Sequence, residues 1–297
     1  MTRQNTPRVS FIGFGEAGQA IASGLREVGV ERIAAWDILF PESAGAKLRE
    51  AGEKIGVRLA SSAADAVRDA DLVVAAVTAA SSTEAAQSVA PHLQNSPYYL
   101  DINSVSPGRK RENAKLLADA ARYVDVAVIA AIHPARHRTP MLLAGPNAEP
   151  IVPLLEELQM KVSVVKGDVG AAAAIKMIRS VMIKGIEALT YECFLAASRA
   201  GVLDEVTASL KNNYPGVDWA KMSEYNLERM ASHGERRAAE MEESALTLRE
   251  LGLDPLMVEA TVKDQRAMGA IGKQSKVRAS LTEGRAAMLS AIGAAKA

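Results

Sequence analysis

The sequence predicts an α/β fold, in which a doubly wound parallel sheet precedes an all-helical C-terminal domain with one long helix. Two observations predict the sheet. Short β-prone runs alternate with amphipathic helical stretches from residue 8 to about residue 166, and a glycine-rich turn follows the first run. A third observation predicts the second domain, because helical patterns alone continue beyond Gly167. We therefore expect a sheet domain over residues 1–167 and a helical domain over residues 168–297.

The composition limits the classes of function. Lys and Arg total 35, and Asp and Glu also total 35, so the chain has no general field that would attract nucleic acid or an acidic membrane. The single cysteine, Cys193, excludes an internal disulfide framework and suits a reducing compartment; we expect its thiol in a helical core. No run approaches the roughly 18 apolar residues of a membrane span, and the N-terminus lacks the apolar core of a signal peptide. We expect a cytoplasmic protein that binds neither nucleic acid nor membrane.

The first strand, Val9–Ile12, leads directly into the glycine-rich turn and then into a helical pattern. The turn consists of Gly13, Phe14, Gly15, Glu16, Ala17 and Gly18. Gly13 permits a tight turn, Gly15 lets backbone N–H groups approach a pyrophosphate, and Gly18 lets the helix pack closely on the strand. Unpaired N–H groups and the positive dipole end of the helix favour an anion there. This is the pattern of a Rossmann-type dinucleotide site, and we expect all six residues to bind the cofactor.

The second strand predicts which dinucleotide is bound. Ile33–Trp36 ends in Asp37, about 20 residues beyond the glycines, where a ribose-binding carboxylate belongs. The three residues that follow Asp37 include no cation for a 2′-phosphate. We therefore predict NAD as the cofactor. NADP stays open, since Arg32 or a later loop could reach the phosphate.

The later strands predict where ligands bind. The fourth run, Asp71–Val77, is almost wholly apolar, as a central strand buried on both faces should be. Ligands of such sheets bind beyond the carboxyl ends of the strands. This rule indicates ligand positions at Thr78–Ser81 after strand four, at Asn103 and Ser104 after strand five, and at Ile129–Ala131 after strand six. We expect Val77, Thr78 and Asn103 to contact the cofactor, and Ser104, Ile129, Ala130 and Ala131 to contact the substrate. The eight strands are expected over residues 8–12, 32–36, 56–59, 72–77, 97–101, 123–128, 141–145 and 161–165.

The C-terminal part is organised around one long helix, which we expect from Asp168 to Ala200. It is apolar on most faces, which is typical of a buried helix. We expect the chain to share this helix with a partner chain in a homodimer. Further helices are expected over residues 204–212, 217–231, 233–251 and 256–271.

Four polar residues interrupt the apolar pattern of the long helix. Lys176, Ser180, Lys184 and Glu187 recur at spacings that place them within one narrow face. A lysine that faces a nicotinamide cleft can act as general acid and base when desolvation or a neighbouring cation brings its pKa toward the working pH. Lys184 would be that neighbour of Lys176. The alternative is a solvated face with weak ion pairs.

Several motifs stand in a recognisable order along the chain. They are the glycine turn, Asp101–Ser104, Val124–Val128, Met141–Gly145 and Gly170–Ser180. In this order the first 180 residues resemble the β-hydroxyacid dehydrogenases, which include 3-hydroxyisobutyrate and 6-phosphogluconate dehydrogenases. Ile175–Gly185, together with Arg236–Met241, looks like a subgroup whose C-terminal domain has no assigned function.

The resemblance implies an oxidoreductase that transfers hydride between a nicotinamide cofactor and a small hydroxy acid, with Lys176 as general acid and base. Ser180 stands where the family has an asparagine one turn after the lysine, and it implies a hydrogen bond to the substrate oxygen. Asn103 and Ser104 resemble the Asn-Ser of the phosphogluconate enzymes. The family's Ser-Gly-Gly substrate loop is Ile-Ala-Ala at 129–131. That departure implies a tighter, less polar pocket, or an anion held elsewhere.

Two basic groups could hold an anionic substrate elsewhere. One is the loop His133–Arg138, and the other is Arg236 with Arg237, because arginine binds carboxylate or phosphate bidentately. The family's Lys-Asp pair falls on Ala239 and Glu240, so its lysine is absent and an arginine could replace it. The plain alternatives are an exposed basic loop and a surface helix of charged pairs.

Two other functions remain open. A keto or imine reductase of a bulkier, less polar substrate would suit the Ile-Ala-Ala loop, although relatives that reduce imines usually replace the lysine that Lys176 matches. A protein that binds the cofactor without turnover belongs to a different class. The sequence has no CxxC, no HExxH and no clustered His, Asp and Glu at metal-ligand spacing, so we expect no metal site.

Overall fold

The structure, a computed structural model, describes residues 6–296. The chain divides into two compact units, Met1–Lys176 and Met177–Ala297, and each is described by itself. The last strand ends at Val164 and the long helix begins at Ala171. We keep residue 167 as the proposed end of the sheet domain, because it lies between these two elements.

Unit 1 contains one eight-stranded sheet with the order β3-β2-β1-β4-β5-β6-β7-β8. Its strands are β1 (Val9–Ile12), β2 (Ile33–Trp36), β3 (Arg58–Leu59), β4 (Leu72–Ala75), β5 (Tyr98–Asp101), β6 (Arg122–Val128), β7 (Met141–Ala144) and β8 (Val162–Val164). All pairs are parallel except β6 and β7. These two strands are joined by the loop 129–140 rather than by a crossover helix, which permits an antiparallel pair. The predicted doubly wound fold class is confirmed, with this one reversal.

Helices cover both faces of the sheet. They are α1 (Glu16–Glu27), α2 (Ala46–Ile55), α3 (Ala63–Val67), α4 (Ser82–Val89), α5 (Pro107–Leu116) and α6 (Ala148–Glu157). Adjacent residues of the central strands point into different apolar clusters: Phe11 and Val74 belong to one, and Ile12 and Val73 to the other. Because successive side chains of a strand alternate between faces, the sheet is buried on both sides, as β4 predicts.

The long helix α7 (Ala171–Ala200) begins in unit 1 and continues into unit 2. The other helices of unit 2 are α8 (Leu203–Asn213), α9 (Trp219–Glu250), α10 (Leu256–Ile271), α11 (Ser275–Ser280) and α12 (Arg285–Ala295). Their core includes Phe194, Leu227, Met230 and Met288. In the described residues, no helix is both long enough and apolar enough to cross a membrane.

Two expectations about the helical part are wrong. The break expected near residue 232 does not occur, because α9 runs unbroken through Gly234. A Cβ at Gly234 would lie less than 3.0 Å from the backbone of Gln265 and Gly269, so this glycine serves helix contact and not helix termination. Cys193 is exposed rather than buried in the core.

Candidate functional site

The glycine turn has the geometry that a dinucleotide-binding turn requires. Gly13 has a φ of +87°, and a Cβ there would lie less than 3.0 Å from the Ala76 carbonyl oxygen. At Gly18 a Cβ would lie 2.7 Å from the carbonyl oxygen of Gly13, so only glycine allows α1 to start this close to β1. By contrast, no atom lies within 4 Å of a Cβ placed on Gly15. The turn therefore has no room for a side chain at Gly13 or Gly18, but it leaves open space at Gly15, where the diphosphate is expected.

The other turn residues have different surroundings. Phe14 is fully buried and its ring packs edge-on against Phe11 and Phe40, so only its backbone is available to a cofactor. Glu16 is exposed, Ala17 is half-buried, and no side chain caps α1 at Gly15. The start of α1 thus keeps the positive dipole end that favours an anion.

Asp37 connects the end of β2 to the glycine turn. Its Oδ2 accepts the backbone N–H of Phe14 at 2.8 Å, and its Oδ1 accepts that of Leu39 at 3.0 Å. The half-buried carboxylate therefore holds the turn in place. Binding of a ribose hydroxyl by the same carboxylate stays a prediction. The sequence predicts only the contact with ribose. The structure shows in addition that Asp37 accepts hydrogen bonds from the backbone of Phe14 and Leu39.

Asn103 joins the ends of two neighbouring strands. Its Oδ1 accepts the backbone N–H of Val77 at 2.7 Å, and its Nδ2 lies 3.3 Å from the Ser82 hydroxyl. The side chain is almost fully buried, and its hydrogen bonds fix the backbone after β4 relative to the backbone after β5. Thr78 is exposed just beyond β4, with its hydroxyl 3.3 Å from that of Ser81.

Lys176 and Ser104 are brought together. The Lys176 Nζ donates to the Ser104 Oγ at 2.5 Å, across 72 residues of sequence. Both side chains are half-buried, so they are shielded without being sealed off from a substrate. A lysine that donates to a serine hydroxyl at the carboxyl end of a parallel strand can hold a small hydroxyl or carbonyl oxygen and move a proton to or from it.

A buried charged cluster lies at the same strand ends, and the sequence reasoning missed it. The Lys110 Nζ lies 3.0 Å from Asp101 Oδ1 and 3.7 Å from Asp125 Oδ1, and all three side chains are fully buried. Tyr123 donates its hydroxyl to Asp101 Oδ2 at 2.7 Å. The available signal was an aspartate among the buried residues of each of two strands, Asp101 in β5 and Asp125 in β6, since a buried carboxylate requires a partner.

Asp125 holds the start of the long helix. Its Oδ2 accepts the backbone N–H groups of Gly170, Ala172 and Ala173 at 2.9, 3.1 and 3.2 Å. Burial raises the pKa of the Asp125 carboxyl, while Lys110 and these N–H groups oppose the rise. The carboxylate thus performs the capping function that the first turn of α7 needs.

The loop after β6 has an apolar end and a basic end. Ile129 is half-buried and packs against Ala127, Ala144 and Ala172, while Ala130 and Ala131 are exposed. In the basic part, Arg136 forms a two-pronged ion pair with Glu27 of α1. His137 is fully buried, and neither of its ring nitrogens has a described hydrogen-bond partner. Arg136 and His137 are thus engaged with unit 1 itself, whereas His133 is exposed.

The other three residues of the predicted polar face, Ser180, Lys184 and Glu187, lie in unit 2 and are buried and paired. The Lys184 Nζ lies 2.9 Å from Glu240 Oε2 and 3.2 Å from the Ser180 hydroxyl. Arg237 forms a bidentate pair with Glu187. For Ser180, Lys184 and Glu187, the solvated-face alternative is therefore wrong.

Two further charged residues of unit 2, Glu187 and Arg236, differ in burial. The carboxylate of Glu187 also accepts a hydrogen bond from the Gln265 amide at 2.8 Å. Arg236 is exposed on α9, next to the buried Arg237. Over residues 6–296 no group of three or more His, Cys, Asp and Glu side chains could hold a metal ion.

Two families match parts of the chain. Residues 8–104 match the family described as NADP oxidoreductase coenzyme F420-dependent. Residues 197–268 match a domain of unknown function, DUF1932. The first match covers the glycine turn, Asp37, Asn103 and Ser104, and the second covers most of α9 and α10.

Solved structures are similar over nearly the whole chain. A conserved hypothetical protein from Sinorhizobium meliloti 1021 is 35% identical with a TM-score of 0.77, over 98% of this chain and 97% of that one. The conserved protein MTH1747, of unknown function and described as structurally similar to 3-hydroxyacid dehydrogenases, is 30% identical with a TM-score of 0.70, over 89% and 97%. The Mycobacterium tuberculosis 3-hydroxyisobutyrate dehydrogenase shares the fold, at 17% identity and a TM-score of 0.69, over 96% and 98%.

Proposed function

We propose that this chain, which belongs to the β-hydroxyacid dehydrogenase superfamily and to its subgroup with a C-terminal domain of unknown function, is a dehydrogenase of a small hydroxy acid. The chain has an NADP-binding oxidoreductase fold similar to that of 3-hydroxyacid dehydrogenases. The proposal adds the reaction on a CH–OH group and Lys176 as general acid and base. The observation that carries it is the hydrogen bond between the Lys176 Nζ and the Ser104 Oγ.

The residues of unit 1 fit a dinucleotide cofactor. Space is open at Gly15, the start of α1 has no side-chain cap, and the Asp37 carboxylate lies at the end of β2. The turn would hold the diphosphate and Asp37 the ribose hydroxyls, and the bound nicotinamide would accept or return the hydride. We propose NAD rather than NADP, because a carboxylate at Asp37 repels a 2′-phosphate.

The proton would be handled by the side chains of unit 1. During oxidation Lys176 would take the proton of the substrate hydroxyl as a neutral amine, and during reduction it would return that proton as an ammonium. The Ser104 hydroxyl would accept a hydrogen bond from the substrate hydroxyl, or donate one to the carbonyl oxygen of the oxidised form. This bond would keep the oxygen within reach of Lys176. Removing the lysine amine should therefore affect the chemical step more than cofactor binding.

An anionic group on the substrate is part of the proposal. The sequence names Lys184, Arg236 and Arg237 as candidate contacts for this group, and all three stay predictions.

A ketone reductase acting on a bulkier substrate is the second candidate. Ile129 supports it, because this apolar side chain packs against an alanine cluster where the family loop has a serine. Such a loop provides no hydroxyl for a carboxylate and favours an apolar substituent. Both candidates use Lys176 in the same role and differ in the substrate.

We also propose a homodimer in the cytoplasm. Unit 2 exposes Ile178, Met182, Ile183 and Leu189 along α7, more apolar surface than one helix of a monomer usually presents to water. A second copy of the chain is the occupant that we propose. The exposed thiol of Cys193 supports a reducing compartment.

A turnover screen tests the proposed function. The purified protein is mixed with NAD or NADP and a set of small hydroxy acids, or with NADH or NADPH and a matched set of apolar ketones with and without amines. Reduction or oxidation of the cofactor is followed by absorbance. Turnover of a hydroxy acid, faster with NAD, is the expected result. Turnover restricted to apolar ketones would favour the second candidate. Cofactor binding with no turnover in any set would contradict both candidates and leave a nucleotide-binding protein.

A further inference from the structure

Lys110 is the most deeply buried cation of unit 1. It lies on α5 with no solvent exposure, and its Nζ lies 3.0 Å from Asp101 Oδ1, 3.7 Å from Asp125 Oδ1 and 3.3 Å from the Val126 carbonyl oxygen. A buried ammonium is strongly unfavourable unless charged or polar groups surround it. Because this nitrogen is closed to solvent, we expect it to affect the site only through the two carboxylates and the two carbonyl oxygens that it contacts.

The first carboxylate shapes the turn that carries Ser104. Asp101 Oδ1 accepts the backbone N–H of Asn103 at 3.0 Å, and its Oδ2 accepts from Asn113 at 3.1 Å and from Tyr123 at 2.7 Å. Lys110 also donates to the Asp101 carbonyl oxygen. Backbone and side chain of Asp101 are therefore both held just before Ser104.

The second carboxylate fixes the helix that carries Lys176. Asp125 Oδ2 accepts the backbone N–H of Gly170, just before α7, and those of Ala172 and Ala173 in its first turn. Lys176 lies about one turn further along the same helix. A shift of the Asp125 carboxylate would therefore shift the base of the Lys176 side chain.

We infer that Lys110 is a positioning residue that sets the contact between Lys176 and Ser104. One nitrogen joins Asp101, which shapes the Ser104 turn, to Asp125, which holds the start of α7. Without it two buried carboxylates would face each other and repel, and the Ser104 turn and α7 would separate. As an account of catalysis this inference rests on the proposed function, but the geometry it describes can be tested without a substrate.

Two substitutions remove the link. Lys110→Met keeps the length of the side chain and deletes its charge. Asp125→Asn keeps the size and one side-chain oxygen, weakens the hold on α7, and provides a second readout where Lys110→Met does not fold. Lys115→Met is the matched control, because it makes the same change at an exposed lysine of the same helix.

The test measures the reactivity of the Lys176 amine. Wild type and variants are treated briefly with N-hydroxysuccinimidyl acetate, and acetylation is read by peptide mass spectrometry relative to the exposed Lys161 and Lys166. Loss of the hydrogen bond to Ser104 should raise the relative labelling of Lys176 by roughly three- to tenfold in Lys110→Met and Asp125→Asn. Ser104→Ala should give the same rise, and Lys115→Met should give none.

Each other outcome overturns the inference. Unchanged relative labelling of Lys176 would mean that Lys110 does not set the contact. A rise in the absolute labelling of Lys161 and Lys166 that equals the rise at Lys176 would leave this ratio unchanged and would mean that the substitution only loosens unit 1.

Activity gives a separate readout. With a substrate from the turnover screen, Lys110→Met should lower kcat by roughly 10- to 100-fold and change the Kd of reduced cofactor by less than about twofold. A lysine with no catalytic role would leave the labelling result intact, so failure of the proposed function is distinguishable from failure of this inference.

Discussion

At the scale of single residues, two buried tyrosines differ in one hydrogen bond. Tyr99 and Tyr123 stack with ring centroids 5.9 Å apart and an interplanar angle of 16°. The Tyr123 hydroxyl donates to Asp101, whereas the Tyr99 hydroxyl has no described partner. Burial raises the pKa of both phenols well above the usual value, so both stay protonated at neutral pH. Of the two, only Tyr123 donates its hydroxyl proton in a described hydrogen bond.

This difference gives a matched prediction. Tyr123→Phe should lower the free energy of unfolding by about 1.5–3 kcal/mol, because it removes a hydrogen bond to a buried carboxylate. Tyr99→Phe should leave the free energy unchanged or raise it, since the hydroxyl that it removes is unpaired. Urea unfolding of the two variants beside wild type measures both values, and equal losses would contradict the assignment.

The site residues that the sequence predicts stand at places that a sequence pattern indicates. Gly13, Asp37 and Ser104 follow the ends of strands, and Lys176 lies on the polar face of the long helix, where the family resemblance implies the general acid and base. Lys110 stands at no such place, because a lysine on a mostly polar helix is indistinguishable from a surface lysine until the helix is packed. Its burial depends on Asp101 and Asp125, which belong to two different strands.

At the scale of elements, helices α9 and α10 approach closely at two glycines. A Cβ at Gly234 would lie less than 3.0 Å from the backbone of Gln265 and Gly269, and one at Gly269 would lie 2.5 Å from the Glu235 nitrogen. Gly185 of α7 is also inside a helix, but no atom lies within 4 Å of a Cβ placed there. The two kinds of position predict opposite effects of the same substitution.

Gly234→Ala should lower the free energy of unfolding of unit 2 by about 1–3 kcal/mol, because the two helices must move apart. Gly185→Ala should raise it by about 0.4–1 kcal/mol, since alanine restricts the unfolded chain and suits a helix interior. Thermal and urea unfolding of the full chain compare the two variants. A stabilised Gly234→Ala protein would contradict the close helix contact.

A second element-scale prediction concerns the loop that His137 anchors to α1. A Cβ at Gly24 would lie less than 3.0 Å from the His137 ring, so the loop is seated directly on the helix backbone. Burial, and then the charges of Arg138 and Arg136, lower the pKa of His137, while Glu27 has the opposite effect. The folded chain therefore favours the neutral ring.

The sign of the pH effect follows from this shift. An unfolded histidine titrates near a pKa of about 6.5, so the unfolded chain binds the proton first as the pH falls. The stabilisation from the neutral ring is complete above that value and is lost as the pH falls through the lower pKa of the folded state. When the pH falls from about 7.5 to about 5.5, the free energy of unfolding should decrease more for wild type than for His137→Leu. The variant keeps all the acidic groups of the wild type, so their titration contributes equally to both proteins. Equal losses in urea titrations would show that His137 has no part in the effect.

The sequence predicts helix or strand correctly where the apolar residues of a segment follow a single repeat, that of a helix or that of a strand. All eight strands are found within two residues of their expected bounds, since apolar β-prone runs are bounded by turns. The break expected near residue 232 is wrong, because Gly234 lies inside the continuous helix α9. The reason for a glycine at this position is a close contact with α10, which local sequence cannot reveal.

At the scale of the whole molecule, the proposed homodimer predicts a measurable mass. Light scattering of the wild-type chain should give twice 31.4 kDa. Met182 and Leu189 lie seven residues apart on one side of α7 and are 64% and 55% exposed. The double variant Met182→Asp with Leu189→Asp should give a monomer, because the charges oppose burial of this face. Lys211→Asp on α8 is the control and should leave the dimer intact. A monomeric wild type would exclude this role of α7.

The central claim is that Lys176 moves the proton in a hydride-transfer reaction. The most direct measurement is the kcat of Lys176→Met with a substrate from the turnover screen, beside Lys166→Met, which changes an exposed lysine of the same unit. We expect kcat to fall by about 10²- to 10⁴-fold in Lys176→Met, with the Kd of reduced cofactor within about twofold of wild type and no change in Lys166→Met. A Lys176→Met enzyme that keeps the wild-type kcat would contradict the account.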